Sequence, residues 1–348
     1  MKVGFIYYTF YPVTGGASVH GFNLAKELYK KGYELFKING EPDPYTHRLK
    51  NPISGLFWIL ANCDLIYLRM DYFLYMRNFV SILALLSRKK IIVELNNPSD
   101  ELHLFGRGKK YIQFTDRIIS KILKRADAVI TVSEPLKRYC EEALRLNNVH
   151  VIENGGEIFD DSSDKVSSKI TEKLEELKKI YSRTVVWSGS ANNMQDLKNL
   201  EEIAKSQKGE TAVLLLVKDD NQNNTLPVSK ENLFVFKNLP REDVKYIISN
   251  SDIGLALYKE YPWSRWGFYN SSLKIFEYLN NGLLTITNKE GTEVQKSYPN
   301  FKFAGSNEEI ITLINEYSDE RSFDIEQPRT WEDVAEETSQ IIQQILSR

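Results

Sequence analysis

Short runs of β-branched and other apolar residues alternate with helix-period segments along almost the whole chain, and this alternation limits the fold more than any other feature. Strands are predicted over 2–8, 34–39, 65–70, 90–95, 128–132 and 150–153, with helices over 19–31, 72–87, 109–125 and 135–146 between them. Strands separated by helices pair in parallel, and a parallel sheet needs cover on both faces, so the pattern predicts a doubly wound α/β domain. The alternation breaks once. After Asn154-Gly155-Gly156 comes a polar stretch, 160–169, rich in Asp, Ser and Lys, which reads as a linker. It then restarts, with strands at 184–187, 212–217, 233–236, 253–258, 283–287 and 301–303, helices at 196–206, 241–250, 272–280 and 307–317, and a closing helix over 331–346. Two doubly wound domains in tandem predict a cleft at the carboxyl ends of both sheets, where ligands of such folds bind.

A length of 348 residues suits two domains of this kind. The longest apolar runs, near 57–61 and 79–86, fall short of the roughly 18 residues of a membrane span. The first ten residues read as a strand with one Lys, so no signal peptide is expected. Cys63 and Cys140 are too few for a disulfide framework or a four-ligand zinc site, and a reducing cytoplasm is the expected compartment. The net charge of −2 conceals an asymmetry: residues 1–155 carry 22 Lys and Arg against 15 Asp and Glu, and the remainder 23 against 32. A nucleic-acid binder would be basic overall, so nucleic acid is not an expected partner.

The signatures of dinucleotide enzymes, P-loop NTPases and zinc hydrolases are absent: no strand ends in G-x-G-x-x-G, and G-x-x-x-x-G-K-[ST], H-E-x-x-H and C-x-x-C do not occur. The first strand runs instead into Thr14-Gly15-Gly16-Ala17-Ser18-Val19-His20 and an amphipathic helix. Paired glycines at a strand-to-helix turn let backbone N–H groups approach an anion, with the helix dipole in support; a tight turn needing positive φ is the alternative. Near the other end, Ser271 or Ser272 can cap a helix that carries Lys274 and, three residues on, Glu277, with Gly282 closing it before a buried strand. Such a helix start suits a ligand with diphosphate and diol groups, although on local chemistry alone an exposed helix with a Lys274–Glu277 ion pair is the simpler reading. The acidic pairs Asp160-Asp161 and Asp219-Asp220 sit in polar loops and read as solvated surface, and His20, His47, His103 and His150 have no ligand spacing. Helix 109–125 sets Lys110, Arg117, Lys121 and Lys124 opposite an apolar face, which reads either as a solvated stripe or as contact with an anionic membrane or lipid-diphosphate acceptor.

Five segments occur in an order that resembles the retaining GT-B glycosyltransferases, most closely glycosyltransferase family 4 (group 1). They are Gly15 to His20 with Gly32-Tyr33-Glu34, Val93-Glu94-Leu95-Asn96-Asn97-Pro98, Ala126 to Ser133, Val151-Ile152-Glu153-Asn154-Gly155, and Ser271 to Gly282. The resemblance spans essentially the whole chain. It implies two Rossmann-like doubly wound domains facing across a cleft: an acceptor-binding domain over 1–158, onto which a C-terminal helix over 332–348 packs, and a nucleotide-sugar domain over 166–331. Carried over by position, Gly15, Gly16, Ser190, Asn238, Leu239, Arg265, Ser271, Ser272, Leu273 and Glu277 would hold the donor. Asn96, Tyr269 and Lys274 would stand at the reacting centre, and His20 on the acceptor side. Glu277 would bind the ribose hydroxyls, backbone N–H groups near Ser272 and Leu273 the phosphate, and the Asn238-Leu239 turn would lie near the base.

Two positions depart from the family. Tyr269 stands where a Glu is usual, and Ala191, Asn192 and Asn193 follow Gly189-Ser190 where a basic pair is expected, with Lys198 the first cation. Either Arg265 and Lys274 take over phosphate neutralisation, or activity is weak or lost. The resemblance thus implies transfer of a sugar from a UDP- or GDP-sugar to a hydroxyl of a glycan or lipid-linked saccharide, with retention, with no cofactor and no metal. The protein would be cytoplasmic, or peripheral at the inner face of the membrane. The alternatives are a nucleotide-sugar epimerase of the same architecture and a non-catalytic nucleotide-sugar-binding partner.

Overall fold

The computed structural model describes every residue except 8–9, 14, 39, 71–76, 160–165, 193, 208, 219–226, 318–322 and 324, together with the side chains of 77 and 78. The acidic pairs at 160–161 and 219–220, most of the expected linker and the start of the expected helix 72–87 lie outside the described residues. The chain divides into two compact units. One holds Met1–Gly155, Tyr261–Ser271 and Trp331–Arg348, the other Gly156–Glu260 and Ser272–Thr330.

The first unit is built on strands β1 (Lys2–Ile6), β2 (Glu34–Ile38), β3 (His47–Leu49), β4 (Leu65–Met70), β5 (Lys90–Leu95), β6 (Ala128–Thr131) and β7 (Val149–Val151). They form a parallel sheet in the order β3-β2-β1-β4-β5-β6-β7. Its helices are α1 (Gly16–Lys30), α2 (Pro52–Asn62), α3 (Arg77–Leu85), α4 (Lys109–Leu123) and α5 (Glu134–Arg138), with a 3₁₀ turn at Ser99–Phe105 before α4 and a wide helical turn at Tyr139–Ala143 after α5. That wide turn divides the single helix expected over 135–146. Leu56 and Ile59 of α2, Leu85 of α3 and Ile112, Ile119 and Leu123 of α4 close over Ile66, Leu68, Ile91 and Val93 in one core. Helix α2 was not predicted, yet its start is written locally: the Asn51 side chain accepts from the N–H groups of Ile53 and Ser54 at 3.0 and 3.1 Å, and Pro52 takes the first helical position.

The second unit runs α6 (Ser168–Ile180), β8 (Arg183–Ser190), α7 (Leu197–Ser206), β9 (Thr211–Lys218), β10 (Leu233–Lys237), α8 (Arg241–Ser249), β11 (Ile253–Ala256), α9 (Leu273–Asn280), β12 (Leu284–Thr287), α10 (Glu293–Lys296), β13 (Phe301–Phe303) and α11 (Asn307–Glu316). Its parallel sheet has the order β10-β9-β8-β11-β12-β13. Leu200 and Ile203 of α7 and Ile310 and Ile314 of α11 cover one face, while Leu174 and Leu177 of α6 and Ile247 and Ile248 of α8 cover the other. The remaining helix, α12 (Trp331–Leu346), belongs to the first unit and runs against α1. Lys31 pairs with Glu336 at 2.6 Å, the Tyr33 and Ser339 hydroxyls meet at 2.6 Å, and the Trp331 ring stands edge-on to His20 at 5.3 Å.

Each sheet reverses its strand order once, between β1 and β4 in the first unit and between β8 and β11 in the second. In open parallel sheets, the crevice beyond the carboxyl ends of the strands at such a reversal is where ligands bind. Helix α1 follows β1 and α9 follows β11, so both helices begin at that edge of their own sheet.

Candidate functional site

At the first reversal the chain assembles a buried anion. Glu94, fully buried on β5, accepts hydrogen bonds from the hydroxyls of Tyr7 and Tyr67, the latter at 2.9 Å, and from the Asn96 side-chain amide. The His20 ring, one turn into α1, places Nε2 3.0 Å from the same carboxylate, and Arg69 at the end of β4 brings Nε to 3.7 Å. The other ring nitrogen of His20 lies 2.6 Å from Asn154 Oδ1. The amide of Asn154 is oriented in turn, since its Nδ2 donates to the Ser271 carbonyl at 2.6 Å. Both ring nitrogens of His20 therefore lie against side-chain oxygens, which fixes the orientation of the ring. Burial alone would push the Glu94 carboxyl up, but the charge and hydrogen bond of His20, the Arg69 guanidinium and the Tyr7 hydroxyl outweigh it and hold the group well below the usual carboxylate range. The same burial, with Glu94 alongside, raises both tyrosine hydroxyls far above their ordinary value.

Beside this cluster lies the glycine turn. Gly15 caps α1 with extended backbone at φ −175°, and a Cβ built on it would meet nothing within 4 Å. The fold therefore asks for no glycine at this position. Ser18 Oγ accepts from the Gly15 N–H at 3.0 Å and donates to its carbonyl at 2.9 Å, which fixes the turn, and Gly16 is the first residue of the helix.

At the second reversal the chain assembles a cation. Lys274, the second residue of α9, points its ammonium across the end of β8: Nζ lies 4.1 Å from the centroid of the buried Trp187 ring and 5.6 Å from that of Tyr258, and donates to Gln195 Oε1 at 2.9 Å. Among the described residues no carboxylate pairs with it. Although part of this side chain reaches the surface, its ammonium sits among aromatic and apolar atoms, and the lost hydration pushes its pKa down to about 7 against a small opposing pull from Glu277. Glu277, one turn further along α9 and nearly buried, is instead bound by Arg241, which also donates to Glu157 at 3.1 Å. The start of α9 carries no acidic residue and no side-chain cap, because the Ser272 hydroxyl is turned to the hydroxyl of Tyr258. The chain at the other end of α9 turns through Gly282 at φ +75°. Gly156 is fixed by packing against the same helix: a Cβ there would fall 2.5 Å from the Phe276 carbonyl oxygen.

The other residues singled out in the sequence fall as follows. Ser190 ends β8, and Asn238, exposed at φ +52°, follows β10, so both stand at the carboxyl edge of the second sheet; the Leu239 side chain packs into the core beneath, and Leu273 opens α9. Arg265, in the first unit, is held by Asp100 at 2.8 Å through two donors and by Asp116 at 3.1 Å, so its charge is met within that unit. Tyr269, also in the first unit, is fully buried, with its hydroxyl donating to Glu101 and its carbonyl accepting from Ser133 at 2.6 Å. Ser271 serves Asn154 through its hydroxyl as well as its carbonyl. Sequence reading did not single out Tyr7, Tyr67, Arg69 or Asn154 as site residues, nor Gln195, Trp187 or Arg241. For Glu94 a signal existed, a carboxylate inside the otherwise apolar run 91–95.

Residues 14–157 match the model of Glycosyltransferase Family 4. Solved structures resemble the chain over its whole length. A glycosyltransferase from Rickettsia africae ESF-5 matches with a TM-score of 0.64 and 14% identity, over 99% of this chain and 98% of that one. The Anabaena protein Alr3699/HepE in complex with UDP and glucose matches with a TM-score of 0.65 and 14% identity, over 99% of this chain and 100% of that one. The Escherichia coli trehalose-6-phosphate protein bound with UDP-2-fluoro glucose matches with a TM-score of 0.60 and 11% identity, over 100% of this chain and 96% of that one. No curated protein sequence matches the chain. Two parallel α/β units in this order and this likeness define the GT-B fold.

Proposed function

We propose that the protein is a glycosyltransferase that moves a sugar from a nucleoside-diphosphate sugar to a hydroxyl of a glycan or lipid-linked saccharide, with retention of configuration. The observation that carries this reading is Lys274: a cation that, among the described residues, has no carboxylate partner, at the strand-order reversal of the second sheet beside the uncapped start of α9. Such a place favours a diphosphate, whose charge would replace the hydration that the ammonium has lost. Complexes of HepE with UDP-glucose and with UDP and glucose support a nucleotide sugar as that ligand.

Breaking the bond between the anomeric carbon and the diphosphate leaves negative charge on phosphate. Lys274 and the α9 backbone are preorganised to stabilise that charge, so this reading includes independence from a metal. Glu277 would accept from the ribose hydroxyls, Ser190 and Asn238 would line the nucleotide, and Gly15 and Gly16 would admit the diphosphate. The acceptor hydroxyl would attack from the face that the phosphate leaves, with that phosphate the nearest base.

The test is a melting-temperature panel of UDP-, GDP-, ADP- and TDP-sugars, followed by product analysis with and without acceptors in excess EDTA. A sugar transferred to an acceptor is the expected product; an isomerised donor would make the protein an epimerase, and binding without turnover a non-catalytic partner. Glu277→Ala should weaken donor affinity by roughly 1.5–3 kcal/mol, the worth of charge-assisted hydrogen bonds, while Glu157 keeps Arg241 paired and the fold intact. Unchanged affinity in the folded variant would make Glu277 a partner of Arg241 and nothing more.

A further inference from the structure

Arg241 carries more hydrogen-bond donors than its partners use. It opens α8, shortly after the left-handed Asn238 at the carboxyl edge of the second sheet. A guanidinium has five N–H groups. Here Nη2 alone is spent, shared between Glu277 Oε1 and Glu157 Oε2, the latter at 3.1 Å. Among the described residues, Nε–H and both N–H groups of Nη1 meet no acceptor, although the side chain is only 33% exposed. The head is fixed on a further side, since it stands 5.4 Å from the centroid of the nearly buried Phe159 ring. The backbone that carries Glu157 and Phe159 is tied to the end of α9: the Asn281 side chain donates to the Glu157 carbonyl at 2.9 Å and accepts from the Phe159 N–H at 2.7 Å. Charge here is already balanced. Lys245 stands 3.6 Å from Glu157 and 3.6 Å from Glu242, so cations do not outnumber carboxylates. Such a cluster exerts little Coulomb attraction on a further phosphate, and its unspent N–H groups suit a neutral carbonyl oxygen.

We propose that Arg241 reads the base of the nucleotide and that this base is a pyrimidine, whose C2 carbonyl oxygen accepts from one of the unspent N–H groups. Lys274, Glu277 and Arg241 offer contacts for phosphate, ribose and base in the order in which a nucleoside diphosphate carries them. Arg241 takes Oε1 of Glu277, and Oε2, which accepts from no described residue, is left for a ribose hydroxyl. Arg241 and the ribose therefore share one carboxylate, and the base atoms within reach are those beside the glycosidic bond. In a pyrimidine that atom is the C2 carbonyl oxygen. In a purine it is the ring nitrogen N3, set back by about 1.2 Å, the length of the carbonyl bond, and guanine adds a donor amino group next to it. The inference rests on the proposed donor site and narrows it to pyrimidine nucleotides.

Calorimetric titration of the full chain with UDP, CDP, GDP, ADP and 2-thio-UDP, in which sulfur replaces the C2 oxygen, tests it. The parent should bind UDP and CDP about tenfold more tightly than GDP and ADP, and UDP about tenfold more tightly than 2-thio-UDP, the worth of one hydrogen bond from a charged donor. In Arg241→Met these ratios should fall to about threefold or less, because no donor remains. Arg241→Lys keeps a cation between the two carboxylates and so guards against a Met variant that does not fold; with its one ammonium taken by Glu157 and Glu277, its ratio of UDP to 2-thio-UDP should fall likewise. Ribose and diphosphate are common to all these ligands, so an effect passing through Glu277 alone would weaken every one by the same factor and leave the parental ratios. UDP bound no more tightly than ADP, equal affinity for UDP and 2-thio-UDP, or parental ratios in the folded variants would overturn the inference while leaving a nucleotide site in place. Absence of binding by every ligand would overturn it together with the proposed donor site.

Discussion

The two units place charged clusters at the same point of the same topology and satisfy them in opposite ways. In the first, Glu94 is surrounded by Tyr7, Tyr67, Asn96, His20 and Arg69, and the chain itself meets the charge. In the second, Lys274 meets, among the described residues, one neutral acceptor, Gln195, and two aromatic rings. A buried ion that is fully partnered holds a site in shape, whereas one left short of partners holds a place for a ligand. The distinction is physical: the first arrangement is met by the chain itself, and the second is the one the proposed function assigns to an anion.

The sharpest way to break this comparison is to remove Glu94. Glu94→Ala leaves two buried hydroxyls, His20 and Arg69 facing an empty position, and loss of one partner from a buried charged cluster costs roughly 3–5 kcal/mol. Urea denaturation should show that loss at neutral pH. Because the folded carboxyl lies below its ordinary value of 4.5, its contribution is present above that pH and fades as the pH falls further, so parent and variant should converge in acid. A penalty under about 1 kcal/mol would mean that the surrounding groups find other partners and that the cluster does not act as one.

Lys274→Met should act in the other direction. Replacing an underpartnered ammonium with an apolar side chain of similar length should raise stability at pH 7 by on the order of 2 kcal/mol, while nucleoside-diphosphate affinity falls at least tenfold. The pH dependence carries the sign. With a folded pKa of about 7 against an ordinary 10.5, the unfolded chain binds the extra proton between those values, so this residue makes stability rise with pH across that window. The parent should show that rise and the variant should lack it. A variant less stable than the parent at pH 7 would place Lys274 among the partnered charges and erase the contrast between the units.

How much of this was legible beforehand depends on the range over which the information is written. The strand and helix alternation is local, so the two parallel sheets and the span of α12 followed from it. Helix α9 was legible too, because Ser272 and Gly282 mark its ends. Short elements were harder: β3, two exposed residues and a half-buried leucine on a sheet edge, carries almost no apolar period, and α6 was passed over because its buried Ile170, Leu174 and Leu177 are set among charges. The clusters were least legible. Glu94, His20, Arg69 and Asn154 come from four separate elements or loops, and only the parallel register that sets β4 beside β5 brings Arg69 opposite Glu94. Likewise, Lys274 and Glu277 read as an i,i+3 ion pair in sequence, but Arg241 after β10 takes the carboxylate and leaves the ammonium apart.

The smallest expected effect on stability is at Gly15, and it separates fold from function most cleanly. Its φ of −175° is open to any residue and its Cβ direction is empty, so Gly15→Ala should leave the melting temperature unchanged or raise it slightly. If the glycine were there for the turn, nothing further should follow. If it keeps room for a diphosphate in front of α1, the added methyl takes up space that the ligand needs and forces it away from the helix start, and misplacement of that kind costs on the order of tenfold or more in turnover of the donor. Steady-state kinetics on the purified variant decide between these. Parent-like kcat/KM would return the glycine pair to an ordinary turn and confine anion recognition to the second unit, whereas a kinetic defect in a protein of unchanged stability would show that the first unit, too, holds a place for the ligand beside its self-satisfied charge.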